Sequence, residues 1–98
     1  MTPRRLLISD SARQDLRRRI RYLTEQRDAD FAVGWAFGLM RWLDRVALGG
    51  AQIGTEFPGA AGFRTFGYKR QATVLAEFRQ AELIVLRVYF RGQAVKTR

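Results

Sequence analysis

The sequence predicts an α+β fold: a short N-terminal strand, an antiparallel helical hairpin, then a three-strand antiparallel meander packed on the helices. Three observations predict it. Apolar residues recur at helical spacing from Ala12 to Leu48. A stretch from Gly49 to Gly62, with five glycines and Pro58, then interrupts the pattern. The remaining chain reads as runs of strand length separated by turn-length gaps. The 98 residues suit one domain, and residues 1–98 are read as such.

Arg4 to Ile8 is the first strand. Ser9 follows as a helix N-cap, with Asp10 in the first turn, where the helix dipole favours negative charge. Ala12, Leu16, Ile20 and Leu23 form one apolar stripe, so this helix runs to about Gln26. Arg13, Arg17, Arg18, Arg19 and Arg21 occupy its other faces.

Asp28 or Asp30 caps the second helix and Gly49-Gly50 ends it. Phe31, Trp35, Leu39, Trp42 and Val46 fall together on one face. Ala32, Ala36, Met40, Leu43 and Ala47 widen the apolar surface, and Val33, Phe37 and Leu48 extend it further. Gly34, Arg41 and Arg45 leave a narrow small-or-charged sector. A helix apolar over so much of its circumference needs cover on several sides. The sheet and the first helix supply two of them, and a partner chain is expected on the rest.

The three later strands are Phe63 to Tyr68, Ala72 to Phe78 and Leu83 to Arg91. In the last, alternation puts Ile84, Leu86, Val88 and Phe90 on the core face. Val85, Arg87, Tyr89 and Arg91 face the other way, with Arg64 near them. Cations interleaved with an aromatic ring suit phosphates and bases.

Composition narrows the chemistry. With no cysteine and no histidine, the chain lacks disulfides, thiolate chemistry, the usual neutral-pH base and the commonest metal ligands. No catalytic residue, metal ligand or cofactor is assigned. The glycine-rich stretch lacks the GxxxxGK[ST] pattern of a phosphate loop. No apolar run has the length of a secretory signal or a membrane span, so a cytoplasmic location with no membrane contact is expected.

Eighteen basic residues against nine acidic ones give a net charge of +9. Residues 1–27 hold 8 basic and 3 acidic groups, residues 28–62 hold 2 and 4, and residues 63–98 hold 8 and 2. The positive field therefore sits at the two ends of the chain, and an acidic or polyanionic partner is expected.

The order of elements, together with Ile8-Ser9-Asp10-Ser11-Ala12-Arg13-Gln14-Asp15-Leu16, Phe57-Pro58-Gly59, Phe63-Arg64-Thr65-Phe66 and Val85-Leu86-Arg87-Val88, resembles the RelE/ParE superfamily of type II toxins. The first segment is like that family's Ser-x-x-Ala-x-x-Asp-Leu. The resemblance spans roughly residues 5–93. It implies a toxin held inactive by a co-expressed acidic antitoxin that wraps the helices and sheet. The surface expected to meet it comprises Phe31, Trp35, Phe37, Leu39, Trp42, Arg17 and Arg21.

Two branches of the superfamily differ in target. The ParE-like branch poisons DNA gyrase, and here Arg87, Arg91, Lys96 and Arg98 would make target contact, with Tyr89 as a stacking group. The RelE-like branch cuts mRNA on the ribosome. In that case Arg64, Lys69, Arg70 and Arg87 would stabilise phosphate charge, and Tyr89 would handle the proton. After Gly92 the chain carries no Tyr or His, a departure from the nuclease pattern. Leu86-Arg87-Val88-Tyr89-Phe90 departs from the Leu-Arg-Val-Leu-His common in the ParE branch. The ParE-like reading is preferred. The alternatives are the ribonuclease and a non-toxic basic module that binds nucleic acid or antitoxin.

Overall fold

A computed structural model describes residues 3–90. Its elements are β1 (Arg5–Ile8), α1 (Asp10–Gln26), α2 (Ala29–Gly49), β2 (Thr55–Glu56), β3 (Phe63–Tyr68), β4 (Ala72–Phe78) and β5 (Glu82–Phe90). The five strands form one mixed sheet in the order β1-β5-β4-β3-β2. β3, β4 and β5 are the expected antiparallel meander, and β1 runs parallel to β5 at the opposite edge from β2.

The helix ends follow from their caps. Ser9 Oγ accepts the Ala12 N–H at 3.1 Å, and Asp28 Oδ1 accepts the Phe31 N–H at 2.8 Å. Gly50, in the left-handed conformation, closes α2. Both helices pack on the sheet face carrying Phe66, Tyr68, Ala72, Val74, Ala76, Phe78, Leu83, Val85, Val88 and Phe90. Leu39, Leu43 and Ala47 of α2 and Ala12 of α1 complete the core. Trp42 wedges between Phe66 and Tyr68, with ring centroids 5.6 and 5.1 Å away. Trp35 packs on Tyr68 and Phe90 and donates its indole N–H to Gln71 Oε1 at 2.8 Å.

The expected alternation of the last strand is corrected. Leu75 of β4 pairs with Arg87, but the next residue, Ala76, pairs with Val85. Leu86 is thus an extra residue, a bulge that reverses the facing of everything before it. Leu83 and Val85 are buried against the helices where Ile84 and Leu86 were expected, while Val88 and Phe90 face the core as expected. Tyr89, expected on an open face, is buried.

The loop after α2 also holds an unexpected element. β2 pairs Thr55 with Thr65 and Glu56 with Arg64. Gly54 makes that approach feasible. Its φ is +84°, and a Cβ there would collide with the Thr65 carbonyl oxygen.

Candidate functional site

Two regions of the surface carry the residues that the sequence singles out: the junction of α1 with β5, and the outer sides of α2 with the β3–β4 turn. At the junction, β1 ends at Ile8, opposite Val85, so β5 continues beyond the end of its neighbour. The start of α1 takes over that edge. Ser9 donates its N–H to Val85 O at 2.9 Å and its hydroxyl to Leu86 O at 2.8 Å. Asp15, only 6% exposed, then accepts the Val88 N–H at 2.9 Å and two guanidinium bonds from Arg87, at 2.8 and 3.0 Å. Arg18 adds a longer contact to the same carboxylate, 3.3 Å.

A buried carboxylate is stable when its lone pairs are filled, and this one is filled by a strand amide and a two-pronged guanidinium. The pair in turn raises the pKa of Arg87 above its ordinary value, chiefly through the hydrogen bond to Asp15. Arg87 also lies over the Tyr89 ring, 5.3 Å from its centroid. Arg87, expected to contact a target, also holds α1 to β5, and its side chain is 39% exposed.

The other predicted cations divide. Arg64 donates to Ile53 O at 2.9 Å and Gly54 O at 2.5 Å, and so pins the loop before β2. Lys69 and Arg70 are exposed at the β3–β4 turn, closed by the Gln71 N–H to Tyr68 O at 2.8 Å. Both have positive φ, +48° and +58°, as at the centre of a type I′ turn. That conformation costs a residue other than glycine about 1–2 kcal/mol. Arg91, Lys96 and Arg98 lie outside the described residues.

On the helices, Arg17 and Arg21 are exposed, and Phe31 sits at the edge of exposure with the Arg27 guanidinium 4.1 Å from its ring centroid. Phe37 is 59% exposed. Trp35 and Trp42 are half-buried in the aromatic cluster. Leu39 is wholly buried, so the expectation that it lies on a binding surface is corrected: it points into the sheet. Val33 and Leu48, 47% and 65% exposed, share a helical face with Phe37. Exposed Arg41 and Asp44 stand on the same face between Phe37 and Leu48, so the uncovered apolar side chains expected on α2 form a broken row. Among the described residues, no helix is long and apolar enough to cross a membrane.

The chain is an α+β fold: a small mixed sheet backed by a helical hairpin, strongly basic in sequence, with apolar side chains exposed on α2. Among solved structures the chain is similar to one titled "Chromosomal ParDE TA system from P. aeruginosa", with a TM-score of 0.74 over 89% of this chain and 95% of that one. Identity is 15%, so the likeness is one of fold, and it agrees with the RelE/ParE resemblance of the sequence. No family model matches the sequence, and no curated protein does.

Proposed function

We propose that this chain is the toxin of a type II toxin–antitoxin pair, ParE-like in acting on DNA gyrase in the cytoplasm, and neutralised by an acidic antitoxin. The observation that carries the reading is the near full-length likeness to a chain from a ParDE system. The +9 charge suits an acidic partner, and exposed Val33, Phe37 and Leu48 offer that partner apolar contacts.

Arg87 and Tyr89 are candidates in both branches and Lys69 and Arg70 are exposed, so the state of these side chains does not separate gyrase from the ribosome. Tyr89 is buried, Arg64 is occupied by loop carbonyls, and Arg87 is occupied by Asp15. A phosphate would have to compete with each of those contacts. Charge reversal of Arg87 is also a poor test of target contact, because it would set a second carboxylate against buried Asp15 and threaten the fold.

The test is inducible expression in a bacterial host with and without the neighbouring open reading frame, following growth with DNA-damage and translation reporters. The expected result is arrest with a DNA-damage signal, relieved by the neighbour. Arrest with loss of translation would replace the gyrase reading by the ribonuclease, and no arrest from folded protein would remove both.

A further inference from the structure

β2 protects the edge of β3 only as far as Thr65. Phe63 O accepts the Phe57 N–H on that outer side, so strand alternation also turns the Gly67 N–H and C=O outward, past the end of β2. At this point α2 and β3 diverge around a cleft of about 360 Å³, lined by Gly38, Arg41, Trp42, Arg45, Tyr68 and Lys69 together with Gly67. Three of these are cations. Among the described residues none of the three has a carboxylate partner, whereas Arg5, Arg18, Arg79 and Arg87 each have one.

Other features mark the cleft as more than a basic patch. Tyr68 is only 5% exposed, and its hydroxyl, which makes no hydrogen bond among the described residues, is not sealed from solvent as the unpartnered Arg19 Nε is. That hydroxyl lies against Gly38, where an added Cβ would stand 3.1 Å from it. Arg41 and Arg45 are one helical turn apart, and the strained turn holds Lys69 across from them, its ammonium 5.4 Å from the Tyr68 ring centroid. Residues that carry donors of several kinds therefore line one concavity: two arginines, a lysine, a tyrosine and an edge-strand glycine.

We infer that this cleft binds a phosphate group carried by a nucleotide, with Trp42 as the apolar wall for the base. Several donors around one hollow match a tetrahedral oxyanion, for which arginine forks are well shaped. The volume suits a ligand of nucleotide size rather than an extended chain. The indole ring beside the cations supplies a surface for an aromatic base. The inference does not rest on the toxin reading. The phosphate could come from a free nucleotide or from a nucleic-acid strand, and the experiment separates these sources.

The test is calorimetric titration of the full chain with adenosine monophosphate, inorganic phosphate, adenosine, and a short single-stranded oligonucleotide. Adenosine monophosphate is expected to bind more tightly than phosphate, and adenosine not to bind. The double variant Arg41→Gln, Arg45→Gln should weaken binding about tenfold or more, the loss expected for charge-assisted bonds. Gly38→Ala, which alters no charge, should weaken it also by displacing the Tyr68 hydroxyl. Arg13→Gln, an exposed cation elsewhere, should leave it unchanged. Binding of the oligonucleotide but not the mononucleotide, with the same sensitivity to the variants, would assign the phosphate to a strand. Binding of no phosphate-bearing probe, or binding indifferent to Arg41, Arg45 and Gly38, would overturn the site.

Discussion

The two sides of the sheet meet solvent differently. On the β5 side, the strand outruns β1, and Ser9 and Asp15 of α1 take up its free edge. The cation there, Arg87, is paired with a carboxylate and holds α1 to β5. On the β3 side the strand outruns β2, no side chain of the described residues takes over, and Arg41, Arg45 and Lys69 gather unpaired. Net charge alone does not reveal which arginines are available. That depends on whether an acid stands opposite, and α1 supplies one on only one side.

Substitutions can break this contrast, beginning with the sealed edge. Asp15→Ala removes the acceptor of four bonds and leaves the Val88 amide and the Arg87 cation unsatisfied. The expected loss is about 2–3 kcal/mol by urea unfolding, reduced from the value for a fully buried pair because the Arg87 side chain is 39% exposed. A loss below about 0.5 kcal/mol would show that water replaces the carboxylate.

Arg64→Ala acts on the opposite side. Two bonds to loop carbonyls disappear, so about 1 kcal/mol is expected, with faster amide exchange at Phe57, whose N–H bonds Phe63 O beside β2. Unchanged exchange would mean that Gly54 and the strand pairing hold the loop unaided. The smallest effect belongs to Arg41→Gln with Arg45→Gln, within about 0.5 kcal/mol of the parent stability, because these cations hold nothing in place. A larger loss would make them structural and erase the contrast.

The Asp15–Arg87 pair also has a pH signature. The guanidinium pKa is raised in the folded state, so its contribution to stability is fully present below the unfolded value and is lost only as pH rises through the higher folded one. Stability conferred by Arg87, measured against Arg87→Ala, should therefore hold through the whole ordinary alkaline range.

Much of the fold was legible in the sequence because each boundary carried its own chemistry. Ser9, Asp28 and Gly50 sit where the helices start and stop, and the meander strands begin and end at their turns. β2 was not legible, since Thr55 and Glu56 have no apolar pattern and pair only through their backbone. Nor was the Leu86 bulge, which shows itself only against β4. The bulge puts Val85 and Leu86 on faces opposite to those that simple alternation gives.

Of the candidate site, the broken apolar row of α2 could be read from helical spacing alone. The role of Asp15 could have been suspected: it borders the Ala12, Leu16, Leu23 stripe, an unusual place for an acid unless a buried donor awaits it. The β3-side cleft could not have been found this way. Arg41 and Arg45 looked like the polar sector of one helix, and only tertiary folding brings Lys69 opposite them.

The parallel pairing of β1 with β5 has a consequence in time. Arg5 and Glu82 bond to each other across a separation of 77 residues, while α1 and α2 make their contacts through a short turn. Contacts that close long loops form slowly, and local ones form early. The helical hairpin is therefore expected to collapse while the sheet still lacks its last strand. Throughout that interval Asp15 has no Arg87 or Val88 to receive, and the faces of α1 and α2 destined for the sheet stand open beside Val33, Phe37 and Leu48. A newly made chain thus shows its surroundings an apolar helix pair first and its finished, arginine-locked sheet last.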